Sequence, residues 1–325
     1  MFAFRTCTLV LGPVLLVGLC YRLTTWETAL GQGAVLSAHV EDLPNQTERD
    51  LSQRELRIAC EMLAGELAGR LSPACRLIVR PPFVLGGDLP EADLDEHYRE
   101  TIVPTLRALS VSYIDRQPTY PVVLLMFSGE AAYREHAQRL DGRPAVNYHG
   151  YYQREKHRAL LNIATGSGTL AHELTHALAH SDFPDMPEWF DEGLASLHEE
   201  SEFSTDGLHL VGLANWRLYY LIEALEHDRL QSLESFVRSG MVRGGNEAVG
   251  YAQARYLCLY LQHRGLLEPF YRKFRSTAET DPMGEAVLCR LLQVGRLGEA
   301  DAEFRAWISS LARSAAESDA TQSAD

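Results

Sequence analysis

The chain is short of basic residues. Its 30 Lys and Arg stand against 44 Asp and Glu, a net charge of −14. A phosphate-binding face needs an excess of positive charge, so this balance argues against nucleic acid as a partner and predicts a soluble acidic surface. No two cysteines are spaced Cys-x-x-Cys, which argues against a cysteine zinc site. There is no internal repeat, and no long apolar run follows residue 21. The body of the chain therefore offers nothing that reads as a membrane span. What it does have is 46 % apolar and 23 % charged residues over 325 positions, enough to build a sizeable core.

The one long apolar stretch is "TCTLVLGPVLLVGLCY", residues 6–21. It is shorter than the roughly 20 residues of a spanning helix and contains Pro13, which favours a secretory signal over an anchor. Residues 1–31 are thus expected to be a signal peptide or N-terminal anchor, and 32–46 a linker. The protein is expected to be exported, with residues 6–21 its sole means of holding a membrane. Cys60, Cys75, Cys258 and Cys289 follow. In an exported chain an even count permits disulfides, with three pairings open, and buried free thiols are the other reading.

The fold class expected is α+β: a small N-terminal mixed sheet with helices, then a mainly helical C-terminal half. One domain is expected over 47–313, its α/β part at 47–165 and its helical part at 166–313, with 314–325 a disordered tail. Apolar spacing predicts helices at 47–71, 89–113 (kinked at Pro104) and 128–140. Extended segments are expected at 76–85, at "YPVVLLMF" (120–127), and in 146–164, where "QREKH" would turn between two short strands. Helices follow at 169–180, 187–200, 213–228, 246–263 and 297–312.

Within "TLAHELTHALAH" (169–180), His172 and His176 stand four apart. On a helix they project from one face, close enough to share one zinc ion. Glu173 beside them can take a proton from a water activated by the metal and later pass it to a leaving amine. This is the HExxH pattern in the helical setting it requires. A third ligand is expected, because catalytic zinc usually has three protein ligands and one open position. "PEWFDEGLAS" supplies Glu192, with 15 residues between it and His176. Those residues include the turn "SDFPDMP", so a second helix can pack back on the first. Pro187 suits a helix start, Glu188 suits its positive end, and Gly193 allows close approach to the first helix. His180 lies two turns, roughly 12 Å, from His172 and is too far to join the same ion. It is read as a helix-end histidine favourable to the dipole, and His198 as a surface residue. The strand in "ALLNIATGSG" would form the edge beside the cleft, where an extended peptide could pair.

"HELTHAL" followed by "PEWFDEGLA" resembles the gluzincin metallopeptidases, and within them the peptidase MA-like proteins with a W-x-x-E-G-x-A second motif: here Trp189, Glu192, Gly193 and Ala195. The likeness is specific over 165–200 and looser from about 76 to 263. It implies a zincin-like fold with the zinc cleft between the two halves, one zinc per chain on His172, His176 and Glu192, and Glu173 as general base. It implies a peptide or protein substrate. The Gly-x-Met-Glu-Asn signature of the large aminopeptidases is absent, so the likeness does not extend to their substrates. MA-like proteins often carry a Tyr-Ala-Gln segment on a later helix. Tyr251 in "AVGYAQARYLCLYL" is then the candidate oxyanion stabiliser, and a core stripe of Tyr251, Ala254, Cys258 and Leu261 is the plainer reading. Ser196 stands four after Glu192, where thermolysin-like enzymes have an Asp that orients a zinc histidine. A zinc-stabilised binding protein of the same fold, without catalysis, is the alternative function; it would have no need of Glu173.

Overall fold

Val122–Phe127 (β3) is apolar at every position because it runs through the middle of a sheet with both faces covered, all six residues buried. In the computed structural model, which describes residues 46–142, 149–243 and 246–322, the chain starts with α1 (Gln46–Ala68) and a hairpin of β1 (Arg76–Arg80) and β2 (Phe83–Gly87). Next come α2 (Glu91–His97), a π turn at Tyr98–Ile102, α3 (Val103–Ser112), β3 and α4 (Glu130–Asp141). Two further strands, β4 (Gly150–Gln153) and β5 (Arg158–Asn162), flank the "REK" turn. The sheet order is β1-β2-β3-β5-β4, with β2, β3 and β5 parallel and both outer strands antiparallel. The protein is therefore mixed α+β. The signal segment and the linker up to residue 45 lie outside the described residues.

Successive strand residues point to opposite faces. Leu124, Met126, Ala159 and Leu161 face the larger core, shared with the helical half. Val123, Leu125, Phe127 and Leu160 face a smaller core closed by residues of α1 and α4 such as Cys60, Leu67, Tyr133 and Ala137. The break foreseen at Pro104 takes the form of the π turn. Pro104 has no N–H to offer Glu100, and the Val103 N–H reaches back five residues to the Tyr98 carbonyl. Pro104 then sits in the first turn of α3, where a missing donor costs little.

The helical half holds α5 (Ser167–Asp182), α6 (Glu188–Glu199), a small hairpin of β6 (Ser201–Phe203) and β7 (Leu210–Gly212), α7 (Leu218–Glu226), α8 (Leu233–Ser239), α9 (Glu247–His263), α10 (Leu267–Thr277), α11 (Glu285–Leu292) and α12 (Leu297–Gln322). Helix α12 takes in most of the tail expected to be disordered; "SAAESDATQ" has no Gly or Pro to stop it. Helix α9 is buried on all sides from Ala252 to Leu261, as befits the central helix of a bundle. Gly193 is where α6 meets it. A Cβ there would fall 2.7 Å from the Ala254 carbonyl oxygen and 2.9 Å from Cys258 Sγ. The close approach expected of Gly193 is thus made to α9, not to α5. Cys60, Cys75, Cys258 and Cys289 are all free thiols; Cys60 and Cys258 are buried as that reading expects, while Cys75 and Cys289 are only half-buried. No described helix is long and apolar enough to cross a membrane.

Candidate metal centre

Helices α5 and α6 bring three donor atoms together. His172 Nε2 and His176 Nε2 are 3.1 Å apart, and Glu192 Oε2 lies 3.6 Å from the first and 3.5 Å from the second. Ligands of a tetrahedral zinc, at bonds of about 2.0–2.1 Å, stand about 3.3–3.4 Å from one another. The three side chains fit such an ion without rearrangement, and each is largely buried.

Tautomers strengthen the fit. His176 Nδ1–H donates to Asp191 Oδ1 at 2.7 Å, which leaves the Nε2 lone pair turned toward His172 and Glu192. Two imidazole nitrogens 3.1 Å apart repel unless a cation or proton lies between them. The electrostatics agree. Burial alone would keep His172 neutral, but the carboxylates of Glu192 and Glu199 outweigh it and hold its pKa at about 9. His176 is raised further, burial again being overcome by Asp191 and Glu192. Burial pushes Glu192 up, yet the two histidines bring it well below the ordinary glutamate range. The pocket is built to hold positive charge.

Glu173 is buried, 5 % exposed, and stands apart from the three donor atoms. Its pKa is raised: burial is the main cause, the nearby histidines oppose it, and Glu192 and Asp191 add to it. A general base works best when its pKa approaches the working pH. The backbone of Gly150 passes directly over it, where a Cβ would come 3.3 Å from Glu173 Oε1. Gly150 opens β4, which is the outer strand beside the centre; β5, expected at the edge, is paired on both sides. Its interior place explains why all five of its residues are buried.

On the other side of Glu192, α9 presents Tyr251. Arg243 Nη2 donates to Glu192 Oε1 and to Tyr251 Oη, both at 2.8 Å, and the tyrosine hydroxyl reaches Glu192 Oε1 at 3.3 Å. One carboxylate oxygen thus faces the histidines and the other is held by Arg243 and Tyr251. Arg243 is 57 % exposed and also pairs with Glu188. Tyr251 stands at the centre, while the residues after it on α9 belong to the core.

Ser196 is buried and its hydroxyl has no hydrogen-bond partner among the described residues. The carboxylates that reach the histidine Nδ1 atoms are instead Asp191 and Glu199. Glu199 Oε2 lies 3.5 Å from His172 Nδ1 and is itself fixed by Arg217 at 2.8 Å. Asp191, Glu199, Arg217 and Arg243 are absent from a reading of spacing alone. Asp191 carried one signal: it stands beside Glu192, on the helix expected to face α5.

His198, expected at the surface, is buried. Its Nδ1–H donates weakly to Thr175 Oγ1 at 3.4 Å, and its ring lies 5.7 Å from that of Tyr113. Burial, helped by the charges of Arg255 and His172, pushes its pKa from 6.5 down to about 3. An unfolded chain protonates this histidine near pH 6.5 and the native one near 3, so the stability at stake is intact above pH 6.5 and lost as pH falls toward 3. By pH 5 the loss is about 2 kcal/mol. Urea unfolding at pH 7.5 and 5 should show the stability gap between wild type and His198→Gln shifting by about that amount in favour of the variant. A gap that does not move with pH would refute the assignment.

A scan against protein-family models and a search of curated proteins return no match for this chain.

Proposed function

We propose that the protein is an exported zinc metallopeptidase of gluzincin type, with His172, His176 and Glu192 as the metal ligands. The observation that carries this reading is the set of three donor atoms mutually within 3.6 Å, with a buried carboxylate on the adjoining residue of the same helix. Bound there, zinc would supply Lewis acidity toward a peptide carbonyl and toward water. Glu173 accepts the proton of the attacking water and returns it to the departing amine. Asp191 keeps His176 in the tautomer whose Nε2 is free, and Glu199 with Arg217 flanks His172. Tyr251 offers an O–H to the negative charge that develops on the carbonyl oxygen. β4 is the outermost strand of the sheet among the described residues and lies beside Glu173, and the edge of an outer strand suits an extended polypeptide. The apolar segment 6–21 supports export.

The test is metal analysis of protein lacking residues 1–31, paired with cleavage of an unfolded polypeptide such as a casein. The expected result is about one zinc per chain, and cleavage that chelator abolishes and zinc restores. Protein that takes up no zinc on reconstitution would overturn the reading. Zinc without cleavage of any polypeptide would favour the zinc-stabilised binding protein.

A further inference from the structure

His172, His176 and His180 occupy successive turns of α5, and the metal reading uses only the first two. His180 is nonetheless largely covered, its side chain 9 % exposed, and its Nε2 lies 2.9 Å from Asp191 Oδ2. The other oxygen of the same carboxylate, Oδ1, takes the N–H of His176. A carboxylate only accepts, so each imidazole donates to it. His180 Nδ1 is buried and has no hydrogen-bond partner among the described residues. A proton on Nε2 has an acceptor in Asp191, whereas one on Nδ1 would have none among the described residues. The ring of Tyr152 from β4 packs 5.5 Å away and keeps the imidazole from turning outward.

We propose that His180 is a positioning residue for the metal, acting through Asp191. By occupying Oδ2 it fixes the plane of the carboxylate, so that Oδ1 stays on His176 Nδ1 and the His176 Nε2 lone pair stays directed at the donor set. Asp191 on α6 is thus clamped by two consecutive turns of α5. This inference rests on the metal reading above. It differs from a packing role in one respect: packing needs a ring of this size, whereas positioning needs a donor at the Nε2 position.

His180→Phe keeps a ring without the donor, and His180→Gln places an amide N–H near the same point. Zinc affinity is measured for both by competition with a chromophoric chelator, alongside wild type and His172→Ala. His180→Phe is expected to bind zinc about 10-fold or more weakly, in the range seen when partners of metal-bound histidines are lost. His180→Gln is expected to stay within about 3-fold of wild type. Wild-type affinity in His180→Phe, or an equal loss in both variants, would overturn the positioning role and leave the metal reading standing. Wild type that binds no more zinc than His172→Ala would overturn both.

Discussion

Glu173→Gln is expected to retain about one zinc per chain and to lose at least 10²–10⁴-fold in peptide hydrolysis, the usual weight of a general base. The prediction follows from placement. Glu173 does not belong to the donor set, so its amide replacement leaves His172, His176 and Glu192 untouched. It shares α5 with the two histidines and is buried there, so no solvent group stands ready to substitute. Gln matches Glu in shape, and the tight passage of Gly150 over the side chain makes that match necessary. Because burial raises the Glu173 pKa, the active, ionised form is depleted as pH falls, and the acid limb of kcat/KM in the wild type should report it. The variant should melt no lower than wild type, since it removes a buried carboxylate rather than a partner. Undiminished turnover with full zinc would sink the assignment of Glu173 as base.

His172→Ala is expected to abolish zinc binding and, with it, the dependence of stability on zinc. An ion that binds only the folded chain stabilises it by mass action, about 4 kcal/mol when free zinc exceeds Kd a thousand-fold. Wild type should therefore melt higher in zinc than in chelator, while His172→Ala should melt at one temperature in both. In chelator the variant should melt below wild type, because it loses the pairing of His172 with Glu192 and Glu199, so the diagnostic is the absence of a zinc shift and not the melting point itself. A variant that still shifts with zinc would mean that the ion sits elsewhere.

The elements that carry long, unambiguous patterns were legible. HELTH on α5, the W-x-x-E-G-x-A helix α6, the apolar β3 and the long α9 all fall where periodicity and motif place them. The β6–β7 hairpin did not show, because three-residue strands are too short for alternation to register. The paired aromatics and leucine of α10, Leu267, Phe270, Tyr271 and Phe274, are all buried at helical spacing, a signal present in the sequence yet not used. At the centre, the clustering of His172, His176 and Glu192 could be read because it is fixed within one helix turn and one helix-turn-helix. The partners of those three side chains could not. Asp191, Glu199 and Arg243 reach the centre through the way α6 and the approach to α9 cross α5, and crossing geometry has no local sequence code. His198 was misplaced for the same cause: its polarity suggested solvent, but the last turn of α6 lies against Thr175 and Tyr113.

The α5–α6 hairpin has a kinetic consequence. His172 and Glu192 are twenty residues apart in the chain, and the clamp from His180 to Asp191 spans eleven. Closing a twenty-residue loop costs about 2.7 kcal/mol of chain entropy beyond the constant term, about 0.5 kcal/mol less than closing the longer separations that pair β2 with β3 and β3 with β5. These contacts are of low order and can form before the sheet is complete. If zinc binds as proposed, an ion captured by the nascent hairpin would hold the two helices together while β2, β3 and β5 are still finding their parallel register, and metal uptake would then be coupled to folding.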